Sequence, residues 1–175
     1  MVYRVPVPDL VLPDVRFHRS FLEATREEPD AASYLFHGDE ETLADLTVFA
    51  GYVAMLRADE REESPRPDHH VPGTNLWWAE GDHFIGRLAI RHRLNDRLRT
   101  GGGHIGYWIR PSERRKGHAA AALRTALPYA ARLGIDPALV SCDADNVGSR
   151  KIIEATGGVF ERQVGELRLY WLPTS

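Results

Sequence analysis

The chain reads as a mixed α/β (α+β) domain with a mostly antiparallel sheet, and three stretches carry that reading. "NLWWAE" and "HFIGRLAIR" flank the turn dipeptide Gly81-Asp82, which is the pattern of a β-hairpin. After the strand-like "HIGYWI", Ala119, Ala122, Leu123, Ala126, Leu127, Ala130 and Leu133 recur every three or four residues, as a helix packed on a sheet requires. "GVFERQ" and "ELRLYWL" form a second hairpin that closes the chain. With 175 residues, 43% of them apolar, one core can be filled and little is left for another. A single domain over residues 1–175 is expected.

In chain order, Asp14 caps a first helix whose apolar face is Val15, Phe17, His18, Phe21 and Leu22, with Pro29 beyond its end. A second helix is predicted from Thr42 to Arg61. Residues 59 to 73, "DEREESPRPDHHVPG", combine a charge run with three prolines and a glycine, so they read as an exposed connector or a flap over a site. The hairpin at Asn75 follows, then a strand over 104 to 109 and the long helix from Gly117. Pro128 removes a backbone donor inside that helix, which predicts a kink or break between Arg124 and Pro128. "ALVSC" is a short buried strand, and "NVGSRKIIEAT" is a helix capped by Asn146 and stopped at Gly157-Gly158.

Charge and cysteine content narrow the function classes. A formal charge of -3, from 22 basic and 25 acidic residues, supplies no global field for nucleic acid. The one cysteine, Cys142, excludes an internal disulfide framework and a cysteine-based zinc site. The start, "MVYRVPVPDL", lacks the features of a signal peptide, and no stretch approaches the roughly 20 apolar residues of a membrane span. A cytoplasmic location with no membrane partner is expected.

Chemistry concentrates at "ERRKGHAAAAL", residues 113 to 123, which joins the strand ending at Ile109 to the helix that follows. At a helix start the first N–H groups have no internal partner and the positive end of the dipole points outward, which makes an anion site. Gly117 lets backbone approach a phosphate and Ala119 keeps the first turn slim, while Arg114, Arg115 and Lys116 add charge. The loop is neither GxGxxG nor GxxxxGK followed by Ser or Thr.

"RRKGHA", Arg114 to Ala119, resembles the Gln/Arg-x-x-Gly-x-Gly/Ala signature of the GNAT superfamily of acetyl-CoA-dependent N-acetyltransferases. Its setting, "YWIRPSERRKGHA" followed one helix and one strand later by "DNVGSRKIIEATGG", is similar to that family over about the last 100 residues. The resemblance implies a GNAT-like sheet with a splayed central strand pair. It also implies a coenzyme A pyrophosphate cradled at Arg114, Arg115, Lys116, Gly117, His118 and Ala119, with no metal. The pantetheine arm would pair with backbone around Tyr107, Trp108 and Ile109, where an N–H polarises the thioester carbonyl. Asn146 would contact the cofactor as well as cap its helix, with Ser149 assisting.

One departure stands out. Where many relatives carry a proton-donating tyrosine, seven residues after the asparagine, this chain has Ile153. A base is needed too, because a simple alkyl ammonium with a pKa near 10 is protonated at pH 7. His104 and Tyr107 are the catalytic candidates, set on opposite faces of their strand by alternation. Glu80 reads as a solvated hairpin carboxylate. His69 and His70 lack metal-ligand spacing, Cys142 reads as packing, and of Trp77 and Trp78 at least one belongs to the core.

The resulting expectation is an N-acetyltransferase that moves acetyl from acetyl-CoA directly to a primary amine of a small molecule. Two alternatives stay open: an acceptor that is a protein N-terminus or lysine, and a coenzyme A-binding sensor suggested by Ile153. A homodimer is compatible with this reading.

Overall fold

Residues 7–30 and 40–175 are described by the structure, a computed structural model. The elements are β1 (Asp9–Val11), a short 3₁₀ turn (Val15–Phe17), α1 (His18–Glu27), α2 (Glu40–Ala44), α3 (Leu46–Ala58), β2 (Gly73–Glu80) and β3 (His83–Arg91). They continue with α4 (Asp96–Thr100), β4 (Ile105–Ile109), a 3₁₀ turn (Pro111–Glu113), α5 (His118–Arg132) and β5 (Ala138–Asp143), and end with α6 (Val147–Ala155), β6 (Val159–Val164) and β7 (Leu167–Leu172). The strands make one sheet in the order β1-β2-β3-β4-β5-β7-β6, antiparallel at every pairing except β4 with β5.

Helices cover both faces. Consecutive tryptophans of β2 divide between them, as strand alternation demands. Trp77 packs with Phe17, Phe21, Phe49 and Phe84 under α1 and α3. Trp78 packs with Leu88, Ile105, Leu123 and Ile153 under α5 and α6. Both indoles are therefore core.

Four expectations change. The helix read from Thr42 to Arg61 is two helices, because the Asp45 carboxylate accepts from the backbone N–H groups of Thr47 (2.8 Å) and Val48 (3.0 Å) and starts a new helix there. Asp14 caps the 3₁₀ turn ahead of α1. α5 runs unbroken through Pro128, its register kept by Ala122, Leu123, Ala126 and Ala130 buried on the sheet. β1 and α4 carry too few residues to show a period and were absent from the reading.

The 59 to 73 connector is tied to the body beyond β3. Arg93 holds Glu62 through two 2.7 Å bonds and the Asn95 amide donates to the His69 carbonyl. Among the described residues no helix is long and apolar enough to cross a membrane, and no group of His, Cys, Asp and Glu could hold a metal ion.

Candidate active site

β4 and β5 touch only at their starts. The sole registered pair is Ile105 with Val140, after which the parallel strands separate. The seam is made tight by Gly103, where a Cβ would stand 2.3 Å from the Leu139 carbonyl oxygen. His104 completes it: its N–H donates to the Leu139 oxygen (2.6 Å) and its Nδ1 accepts the Leu139 N–H (2.9 Å).

That geometry decides His104. Burial, reinforced by the positive charges of Arg99 and Arg91, drives its pKa down to about 4, so the ring is neutral at pH 7. A neutral imidazole has one acceptor nitrogen, and Nδ1 is using it, so Nε2 carries the hydrogen. His104 fastens the seam and has no free lone pair for the general base expected of it.

Past the seam a cavity of about 230 Å³ opens between the strands, lined by Ile105, Gly106, Tyr107, Ser141, Cys142 and Asn146 among others. Arg91 N–H donates to the His104 carbonyl and Arg110 N–H to the Ile85 carbonyl, so even-numbered β4 residues turn their backbone to β3. By alternation Tyr107 and Ile109 turn theirs into the gap. The Ile109 oxygen is taken by Arg114 Nε at 2.9 Å, which leaves the Ile109 N–H and both Tyr107 groups along the open edge. Trp108 is not part of this edge. Its side chain lies under α1 and α3, with Nε1 donating to Glu28 Oε2 at 2.8 Å.

Tyr107 enters the cavity with a hydroxyl that is buried and lacks a hydrogen bond of good geometry among the described residues. Burial pushes its pKa up, opposed in part by the nearby Ser149 hydroxyl. Cys142, in the same wall, is pushed up by burial and by Asp143, so it stays a thiol. Asn146 caps α6 by accepting the Ser149 N–H at 3.0 Å, and both residues line the cavity. Ile153 does not reach it; the side chain is fully buried in the core.

At the start of α5, Gly117 has φ +85 and no side-chain cap, and nothing lies within 4 Å of where its Cβ would be. The first amides of the helix thus face open space, Ala119 leaning on the core beside them. The cations around them are less available than expected. Arg114 is bonded to Glu28, and Lys116 to Glu113 at 2.9 Å. The ring of His118 is engaged on both sides, Nδ1 accepting from Trp78 Nε1 (3.1 Å) and Nε2 lying 3.5 Å from Glu113. Arg114, Arg115 and Lys116 are all exposed, and Arg115, at φ +61, is the one of the three that no carboxylate holds among the described residues. Glu113 and Glu28 were missed because nothing in the sequence says which cations a carboxylate 3 or 86 residues away will reach. Arg91, Gly102 and Ser141, which also line the cavity, carry no motif.

Glu80 stays at its hairpin outside the cavity, and His69 and His70 stack edge to face on the connector.

Residues 19–159 match the model of the GNAT acetyltransferase domain. The structure is similar to the microcin self-immunity acetyltransferase MccE in complex with acetyl-CoA and AMP, at 12% identity and a TM-score of 0.61 over 94% of this chain and 91% of that one. It is similar to the ribosomal α-N-protein acetyltransferase RimL in complex with coenzyme A, at 14% and 0.62 over 99% and 98%. A GNAT-family acetyltransferase from Bacillus anthracis gives 15% and 0.64 over 99% of both chains. No curated protein matches in sequence. A splayed strand pair, an uncapped helix start and a family model covering most of the chain thus converge, and the chain belongs to the GNAT family of acetyl-CoA-dependent acetyltransferases.

Proposed function

We propose that the chain moves an acetyl group from acetyl-CoA to a primary amine of a small molecule, both bound together in the gap between β4 and β5. The observation that carries this is the Tyr107 hydroxyl, buried in that gap with no hydrogen bond of good geometry among the described residues. A buried polar group left unpaired costs about 1–3 kcal/mol, and such groups persist where a ligand or a reaction uses them.

The residues fit the donor. The free amides of α5, with Gly117 and Arg115, suit a pyrophosphate, and the open edge of β4 suits an amide-bearing arm. Acetyl-CoA supplies an activated acyl thioester. The N–H of Ile109 faces the gap and is placed to hold the carbonyl oxygen as charge develops on it. Tyr107, kept protonated by its raised pKa, gives its proton to the departing sulfur as the C–S bond breaks and the N–C bond forms. The amine enters as the free base, its extra proton left in solvent, and the proton its nitrogen sheds after attack restores the Tyr107 hydroxyl, so the products are an amide and a free thiol and the tyrosine is regenerated.

Tyr107 thereby takes from β4 the role that position 153 cannot fill. Direct transfer also agrees with Cys142, which burial keeps from being a ready nucleophile. A cavity of about 230 Å³ has room for the thioester and a compact amine, which favours a small acceptor. Calorimetric titration with acetyl-CoA, followed by thiol release across a panel of amines, tests the reading. Selective acetyl-CoA binding with amine-dependent thiol release is expected, and binding without turnover on any amine would leave a coenzyme A-binding module instead.

A further inference from the structure

Two carboxylates at the end of α1 hold the corner between β4 and α5. Glu27 takes Arg110 and Ser112. Glu28 takes both terminal nitrogens of Arg114, Nη1 at 3.2 Å, and the indole N–H of Trp108 at 2.8 Å. Hydrogen bonds from the Arg114 guanidinium hold the Glu28 carboxyl below the usual carboxylate range, so it is ionised at pH 7. The Arg114–Glu28 pair is then neutral as a unit and offers a phosphate little net field.

Arg114 keeps one donor for the gap. Its Nε reaches back to the Ile109 oxygen at 2.9 Å. The N–H and C=O of one residue leave an extended strand on the same side, so this carbonyl stands beside the Ile109 N–H that faces the gap. Left bare, the carbonyl would do harm in two ways. If the register that pairs Ile105 with Val140 ran on, Ile109 would stand opposite Ala144, with its N–H on the Asp143 oxygen and its C=O on the Asp145 N–H. The reactive edge would be zipped shut. An uncovered acceptor turned toward the gap would also repel the charge that develops on the thioester oxygen. Both are prevented from outside the two strands: the Asn146 N–H claims the Asp143 oxygen at 3.1 Å, and Arg114 claims the Ile109 oxygen.

We propose that Arg114 is a positioning residue for the transfer step and not a ligand of the donor's phosphates: clamped by Glu28, it covers the Ile109 carbonyl and keeps the Ile109 N–H open to the thioester oxygen. The inference rests on the acetyl transfer proposed above. It divides the hexapeptide 114 to 119 between two tasks. The amides of α5 and Arg115 serve the phosphates, while the first residue serves the reacting end of the same donor.

The test pairs the Kd for acetyl-CoA, by calorimetry, with kcat for thiol release on the best acceptor among ethanolamine, alanine, alaninamide and glucosamine. Arg114→Met should leave Kd within about threefold and lower kcat about ten- to a hundredfold, as a misplaced oxyanion donor does. Arg114→Lys, whose compact ammonium serves Glu28 or Ile109 but not both, should fall between. Glu28→Gln separates the two tasks most clearly. It releases the cation from its carboxylate, so Kd should tighten about two- to fivefold, the worth of one exposed charge, while kcat falls about tenfold. A brace with a structural role alone would weaken binding and turnover together. That joint loss would overturn the assignment. So would a Kd raised more than about tenfold by Arg114→Met with kcat kept, which makes Arg114 a phosphate ligand, or a kcat within about threefold of wild type in both Arg114 variants. If Arg114→Met folds poorly, Arg114→Lys and Glu28→Gln decide by the same split. Acetyl-CoA binding with no thiol release by the wild type on any of the four amines would instead overturn the acetyl transfer, and the inference with it.

Discussion

Replacing Tyr107 by Phe removes one oxygen, and the structure gives that oxygen two opposite values. In the free chain it is a buried hydroxyl without a good hydrogen bond. Deleting it should remove a desolvation penalty of about 1–3 kcal/mol and leave a phenyl ring of nearly the same shape. Unfolding entropy is about 2.1 cal/mol/K per residue, or roughly 0.37 kcal/mol/K over 175 residues, so Tyr107→Phe should raise the melting temperature by about 3–8 °C. Turnover should move the other way. A positioned proton donor contributes about 10²- to 10⁴-fold, so kcat should fall by that factor with little change in acetyl-CoA affinity. Thermal melting without ligand and steady-state thiol release on the same preparation measure both effects. A lower melting temperature would mean that the hydroxyl has a structural partner, Ser149 being the nearest candidate. An unchanged kcat would show that Tyr107 is not the acid. Because burial raises the Tyr107 pKa above the usual 10, the wild-type kcat should hold on the alkaline side until pH exceeds that value.

Glu27 binds Arg110 at 2.5 Å and both the N–H and the hydroxyl of Ser112 at 2.9 Å. Arg110 is only 5% exposed, so Glu27→Ala strands a buried cation and should cost about 3–5 kcal/mol, or roughly 8–14 °C, read by urea and thermal unfolding. Burial alone would raise the Glu27 pKa, but the bonds from Arg110 and Ser112 outweigh it and hold the carboxyl low. Its contribution is therefore complete above the unfolded pKa of about 4.3 and is lost as pH falls through the lower folded value, so the gap between wild type and variant should narrow as pH falls below the unfolded value. Gly117→Trp should abolish acetyl-CoA binding in calorimetry by filling the space before the helix amides, while the φ of +85 adds about 1–2 kcal/mol of strain and the fold survives. Ile153→Tyr should not raise turnover, because position 153 is fully buried away from the gap; overpacking should instead destabilise by about 1–3 kcal/mol, and a gain in kcat would contradict the assigned core position.

What was legible in the sequence follows from the range of the interaction involved. Hairpins at Gly81 and Gly165, the cap at Asn146 and the apolar face of α5 depend on residues a few positions apart, and each is found where the pattern puts it, except that Leu133, at the end of that face, is exposed. The break at Asp45 is also local; it was missed because the apolar period continues through Leu43 and Leu46 and hides the cap between them. β1 is three residues long and gains its place only by pairing with β2, which no local pattern reveals.

The site divides along the same line, with one difference that bears on function. The loop at Gly117 could be read because a backbone amide needs only a conformation, and conformation is encoded nearby. The side chains could not, because their roles depend on which partner claims them in three dimensions. His104 offers the residue type of a base, yet its acceptor nitrogen is taken by Leu139, 35 residues on. Arg114 and Lys116 offer charge for a phosphate, yet Glu28 and Glu113 already hold them. Tyr107 is the opposite case, a side chain that no described residue claims in good geometry and that stands inside the gap. In an active site the group left unsatisfied by its own protein is the one available to the substrate, so the proton donor displaced from position 153 is best sought there.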